Sequence, residues 1–292
     1  MKTLFLFALF FWLFFLSEKS YSQTWKTNCD LAFKFYQEKN LDGALFYGRR
    51  SLELAGKNVD ENEFAFVISS NLLGAVFRER KEIDSAEYYF RLTITTYKKL
   101  NPKPDTLLIT YVRTLADFYF EISDYKKDEP VQIELRELLG SILGKEHPHY
   151  AFSCLTLGET YDMMKQYSKA EELYLEGKNI YEKIYGKENY SYSVSCSFLG
   201  DLYDATNQFI KAESYFLEEK NILEIIFGRE DIKYASCINN LGNVYKRMGE
   251  YKKAEALFQE AKSIYENNSL KESEDYAFVC NNLGHLFLEI QD

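Results

Sequence analysis

Catalysis and metal binding need titratable or nucleophilic side chains gathered at one point, and this chain supplies few that gather. Its three histidines are His147, His149 and His285. His147 and His149 stand two apart at a helix start, a spacing that points their rings different ways, and no cysteine or carboxylate cluster completes a metal-ligand set around them. They read as a solvated loop pair and not as a metal site. His285 reads as a surface histidine that a ligand could touch. No nucleophile motif, phosphate-binding loop or paired-acid motif is present, so the expectation is no enzyme, no cofactor and no metal.

The five cysteines lead to the organising feature. Cys154, Cys196 and Cys280 stand four residues before a small residue of a repeating pair, and Cys237 stands one place earlier. The pairs are Leu31-Ala32, Leu73-Gly74, Leu115-Ala116, Leu157-Gly158, Leu199-Gly200, Leu241-Gly242 and Leu283-Gly284, always 42 residues apart. A fixed period of this length marks an array of stacked units, which offers a long surface in place of a single catalytic pocket. Equivalent positions on stacked helices lie roughly 9–10 Å apart. A disulfide needs Cα atoms within about 7 Å. The cysteines are therefore expected as buried free thiols that pack as small hydrophobes.

The elements that carry these residues follow from one unit. Tyr150, Cys154, Leu157, Gly158 and Tyr161 make a helical stripe. Ser168 and Glu171 then form a capping-box pattern for a second helix, as Asp84 and Glu87 do two units earlier. That helix carries Ala170, Leu173, Tyr174, Gly177, Ile180 and Tyr181 on one face and ends at Gly186, with Gly144 and Gly228 at the matching places. Other columns agree. Three residues after the small residue stand Phe35, Phe77, Tyr119, Tyr161, Tyr203, Tyr245 and Phe287. Nine after it stand Leu41, Ile83, Tyr125, Tyr167, Phe209 and Tyr251, and twelve after it Ala44, Ala86, Ala170, Ala212 and Ala254.

This pattern, Leu-Gly-x-x-Tyr followed by Tyr-x-Lys-Ala-Glu and an aromatic, resembles the tetratricopeptide repeat over residues 24–292. The 42-residue period is similar to the kinesin-light-chain-like form found in many bacterial proteins, and Leu143-Gly144-Lys145-Glu146-His147-Pro148 resembles that form's loop. The resemblance implies an all-α fold, an α–α superhelical solenoid of helix pairs whose first helices line a concave face. It also implies which residues point into that groove: Asn71 and Arg78, Arg113 and Asp117, Glu159 and Asp162, Asp201 and Asp204, Asn239, Asn243, Lys246 and Arg247, and Asn281 and His285. The middle of such a groove is acidic, with basic and amide groups near its C-terminal end, which suits an extended peptide held by charge and amide hydrogen bonds. Some members of the family grip a C-terminal carboxylate with Lys and Asn residues. Asn243 and Asn282 match two such places, but Asn239 stands where the Lys belongs, so that clamp is not expected.

Three stretches depart from the pattern. In unit three Asp128 replaces the alanine, Pro130 follows, and Gln132 replaces the aromatic, so a late-starting and looser second helix is expected. Unit one has Gly48 at the aromatic place and Gly56 in its tail, which reads as drift or a flexible joint. The seventh unit is a first helix alone, so Phe278, Leu283, Phe287 and Leu288 are expected to leave a face uncovered, as in a chain cut from a longer protein or docked at this end.

Residues 1–22 read as a signal peptide, with Lys2 as the basic start, an apolar stretch from Leu4 to Leu16, and Ser20-Tyr21-Ser22 at the cleavage place. An uncleaved anchor is the alternative, but 13 apolar residues are short for a span. The segment resembles signals common in Bacteroidetes, and the expected location is periplasmic or secreted, with no stable membrane insertion after cleavage. The array then occupies residues 23–292 as six full units and a seventh first helix. With 35 Lys+Arg against 45 Asp+Glu and no basic stripe, nucleic acid is not an expected partner. The leading expectation is a non-catalytic scaffold that binds a protein or peptide. The alternative is a regulatory or sensor array of a larger protein, whose effector would be a CHAT-type peptidase or a membrane-linked kinase or transcription regulator.

Overall fold

The computed structural model describes residues 22–57 and 59–291, and the signal-peptide reading falls on residues outside them but for Ser22. Among the described residues there are thirteen α-helices and no strand. They are α1 (Ser22–Gln37), α2 (Leu41–Gly56), α3 (Val59–Glu79), α4 (Ile83–Leu100), α5 (Thr106–Glu121), α6 (Tyr125–Ile142) and α7 (Pro148–Met163). There follow α8 (Tyr167–Tyr185), α9 (Tyr190–Ala205), α10 (Phe209–Phe227), α11 (Ile232–Arg247), α12 (Tyr251–Asn267) and α13 (Glu274–Gln291). Two compact units divide within α5, one up to Phe118 and one from Tyr119. No helix among the described residues is long and apolar enough to cross a membrane.

Every second helix starts on the bulky column, at Leu41, Ile83, Tyr125, Tyr167, Phe209 and Tyr251. The turn before each start holds one residue in the left-handed region: Lys39, Lys81, Ser123, Lys165, Asn207 and Gly249, all near φ +60° to +77°. The amide two residues after the start of that turn reaches back to the first helix, as in Gln166 N–H to the Tyr161 carbonyl at 2.8 Å. This is the hydrogen-bond pattern that closes a helix and reverses the chain. Because only one of the six is glycine, the column carries no compositional signal.

The expected capping boxes do not form. The second helices begin one residue before Ser168 and Asp84, and their cap positions, Gln166 and Glu82, make no side-chain cap hydrogen bond. Glu171 instead accepts a hydrogen bond from the Tyr203 hydroxyl of the next unit. Glu213 accepts from Tyr245 at 2.7 Å in the same way. Side-chain caps stand instead on first helices, where His147, Asn189 and Asp231 accept from the amide two residues on, and on two other second helices, where Asn40 and Asp124 accept from Gly43 and Lys127.

Helix pairs interlock by one rule. A Cβ on Gly74, Gly158, Gly200 or Gly242 would stand 2.6–2.7 Å from the ring of Phe90, Tyr174, Phe216 or Phe258 on the partner helix. Each first helix thus gives up a side chain so that an aromatic knob can seat against its backbone. The alanine column is fully buried beside it. Unit one reverses the sizes: Gly48 stands in the knob's place, and a Cβ there would meet Leu73 at 2.9 Å. Gly48 is therefore a packing accommodation for its neighbour and not a joint.

Unit three also differs from expectation. Its second helix, α6, starts on the common column at Tyr125, capped by Asp124, and Pro130 lies inside it beyond the first turn. Asp128 is fully buried and accepts from the Thr160 hydroxyl at 2.6 Å, while Gln132 accepts from Thr156 at 3.2 Å. Buried hydrogen bonds replace the usual alanine and aromatic contacts, so the helix is held to unit four by polar groups and not loosely packed.

All five cysteines are free; Cys29, Cys154, Cys196 and Cys237 are buried and Cys280 is half-buried. In α13, Val279, Leu283 and Leu286 are buried in the common core, which corrects the expectation for Leu283, whereas Phe278, Phe287 and Leu288 are exposed.

Candidate interaction surface

The residues expected to face a groove fall on the first helices in both compact units. In the first unit, Arg78 of α3 is half-buried. On α5, Arg113 is half-buried and its pKa is lowered by burial, against the opposing pull of the Asp117 carboxylate one helical turn away.

In the second unit, Glu159 and Asp162 lie one turn apart on α7, and Asp201 and Asp204 take the same places on α9. Burial raises the pKa of Asp162. Burial also raises Glu159, helped by the charges of Asp162 and Asp128. Asp201 is pushed up to about 7, by the protein around it first and then by Asp204, Asp162 and Glu159. Its side chain is exposed to solvent, within reach of a ligand. Beneath them lies Tyr174 of α8, fully buried, with a hydroxyl that has no hydrogen-bond partner. Its own pKa is raised by burial and by the charges of Asp162, Glu159 and Asp201. Sequence reading placed Tyr174 in the core and missed this polar end.

Of the two basic groups at the end of α11, Arg247 is already engaged. Arg247 of α11 donates to the Asp204 carboxylate at 2.6 Å and to Asn207 Oδ1 at 2.5 Å, and its guanidinium lies 4.7 Å from the Phe209 ring centre. It is therefore occupied with the preceding unit. Lys246 is half-buried and His285 is exposed. The Asn239 side chain accepts from the Asn282 amide at 2.9 Å. Asn239, Asn240, Asn243 and Asn282, with Ser236 and Asp275, line a cavity of about 280 Å³. His147 accepts the His149 backbone N–H through Nδ1 at 3.1 Å and so acts as a helix cap. Among the described residues no group of three His, Cys, Asp or Glu side chains could hold a metal ion.

The family model described as the tetratricopeptide repeat matches residues 106–183, 196–267 and 234–292. The chain belongs to the tetratricopeptide repeat family. Its fold recurs in solved structures. BtubC (BKLC) from P. vanneervenii is 19% identical with a TM-score of 0.63, covering 86% of this chain and 93% of that one. A putative kinesin light chain with nearly identical TPR-like repeats from Podosopora anserina is 18% identical with a TM-score of 0.59, covering 68% and 95%. A signal transduction ATPase with a tetratricopeptide repeat sensor from Pyrococcus horikoshii is 17% identical with a TM-score of 0.65, covering 92% of this chain and 39% of that one. No curated protein matches the sequence. These likenesses agree with an all-α tetratricopeptide solenoid of the kinesin-light-chain-like kind.

Proposed function

We propose that this tetratricopeptide repeat protein is a non-catalytic scaffold that holds an extended segment of a partner protein along its first-helix face. The partner segment carries lysine or arginine side chains over the acidic patch of α7 and α9. One observation supports this above the others: burial raises the pKa values of Glu159, Asp162 and Asp201, the charge of Asp162 adds to the shift at Glu159, and the charges of Asp204, Asp162 and Glu159 add to that at Asp201, above the buried Tyr174 hydroxyl. A bound ammonium or guanidinium would offset that repulsion. Amide groups of Asn239, Asn243 and Asn282 would pair with the segment's main chain. Export is part of the proposal, resting on Lys2, the apolar stretch from Leu4 to Leu16 and Ser20-Tyr21-Ser22.

The test is an array of labelled extended twelve-residue peptides of graded lysine content, titrated against the chain by fluorescence anisotropy. Binding is expected to rise with lysine content, to weaken with salt, and to fall at least about tenfold in Asp162→Asn/Asp201→Asn. Equal binding by the variant would refute the acidic-patch reading.

A second reading, a sensor array within a larger regulatory protein, draws support from the sensor role named for the similar Pyrococcus horikoshii structure. A reading frame that runs on into a peptidase, a membrane span or a kinase would favour it.

A further inference from the structure

The cavity between α11 and α13 is built from one stripe of each helix. α11 contributes Ser236, Asn239, Asn240 and Asn243, and α13 contributes Asp275, Phe278, Val279 and Asn282. Within each set the members follow one another at helical spacing, so both sets face the same recess. The buried Tyr265 of α12 completes its lining. The volume is about 280 Å³. That lies below the roughly 300–1,000 Å³ of clefts that enclose a whole small molecule, and suits one long side chain of a larger ligand.

The polar groups of the recess say which side chain. Asn282 donates to Asn239 Oδ1 at 2.9 Å and so ties the two helices. The side chains of Asn240 and Asn243 have no hydrogen-bond partner among the described residues. Asp275 finds no base on its own helix, because α13 carries no lysine or arginine, and Lys271 in the loop before it is paired with Glu266 at 3.8 Å. The recess therefore offers a carboxylate and the carbonyl oxygens of Asn240, Asn243 and Asn282 as acceptors. Phe278 adds a ring that is 62% exposed. That exposure belongs to the position, since Phe152 at the matching place of α7, with units on both sides, is 45% exposed. A guanidinium answers this set. It brings more N–H donors than an ammonium, in a plane that stacks on a ring. A neutral group leaves the Asp275 charge unanswered, and an anion is repelled by it.

We propose that this recess is an arginine subsite of the first-helix face. The proposal rests on the scaffold reading above and specifies its ligand: a partner segment with lysine over α7 and α9 and one arginine further along. The guanidinium pairs with Asp275 and stacks on Phe278, and the asparagine carbonyls take its remaining hydrogens. Two steps between neighbouring first helices, roughly 9–10 Å each, separate patch and recess. Extended chain covers that in about six residues.

The probes are labelled twelve-residue peptides with two adjacent lysines and, about six residues away towards either end, arginine, lysine, citrulline or alanine. They are titrated against the whole chain by fluorescence anisotropy. In one of the two orders arginine is expected to bind at least about tenfold more tightly than citrulline or alanine. Asp275→Asn and Phe278→Ala are each expected to cut that preference below about threefold, with the melting curve in place because both side chains are exposed. Asp162→Asn/Asp201→Asn is expected to weaken every peptide and keep the arginine preference, so the two sites fail separately. End-blocked Gly-Arg-Gly, which carries no lysine, is the second probe. It is expected to shift the side-chain amide NMR signals of Asn240 and Asn243 in the wild-type chain and not in Asp275→Asn. No arginine preference, one shared by citrulline, or one that survives Asp275→Asn overturns the proposal, as does a Gly-Arg-Gly titration without those shifts.

Discussion

The Arg247 guanidinium on α11 holds Asp204 on α9 twice, donating to its carboxylate at 2.6 Å and to its main-chain carbonyl at 2.8 Å. One acidic side chain of the patch is thereby neutralised from within the array, and the patch left for a partner is Glu159, Asp162 and Asp201. Arg247→Met releases the Asp204 carboxylate. Lysine-rich peptides are expected to bind about two- to fivefold more tightly to this variant at low salt, with the gain lost in high salt. The pair is partly exposed, so the stability change is expected to stay within about 1 kcal/mol. Anisotropy titrations at two ionic strengths and a melting curve check both parts.

Gly200 carries a different kind of constraint. A Cβ there would come within 2.7 Å of the Phe216 ring. Gly200→Leu must move a fully buried aromatic and is expected to cost about 1–3 kcal/mol or more, with a lowered melting temperature. An unaltered transition would mean that the helix crossing is not where the glycine column puts it.

Glu219 of α10 is a carboxyl in the core, 7% exposed, with Oε2 lacking a hydrogen-bond partner. Burial foremost, with the charge of Asp201, pushes its pKa up to about 8, partly opposed by hydrogen bonds with Cys237 and Ser197. The folded state therefore holds this proton more tightly than the unfolded chain does, whose glutamate titrates near 4.5. Stability from this group is fully present below that value and is lost as pH rises towards 8. Glu219→Gln keeps the shape of the protonated form. It is expected to raise stability by an amount on the order of 1 kcal/mol or more at pH 8, and to change little at pH 4. Melting temperatures of both proteins across that range decide the matter; a difference independent of pH contradicts the assignment.

Lys165 sits at φ +59° in the turn between α7 and α8. A residue with a Cβ pays strain there that glycine avoids. Lys165→Gly is expected to stabilise by about 0.5–1 kcal/mol, read from denaturant unfolding, whereas Lys165→Val is expected to destabilise.

Much of this architecture is written in residue spacing. The leucine–small pair, the bulky column and the alanine column locate twelve of the helices to within a residue or two, because each column marks a place where two backbones must approach or a helix must begin. The left-handed turn column was not legible, since lysine and serine occupy a conformation that glycine advertises. The capping boxes misled for a related reason. Ser168 and Glu171 have the right spacing, but spacing cannot say whether a carboxylate turns back to its own helix or out to Tyr203, 32 residues away.

The candidate surface divides in the same manner. The sequence alone determined that Glu159, Asp162, Asp201 and Asp204 share a register, because 42-residue periodicity and helical turns are local properties. Only the tertiary structure decided that Arg247 removes Asp204 from that set, that Tyr174 lies beneath it with a free hydroxyl, and that Asp128 is a buried link to Thr160. It likewise decided that Gly284 faces open space while its counterparts face rings. The physical reason is that register assigns a side chain to a face. Which partner it meets there depends on distances between helices far apart in the chain, and those are set by packing.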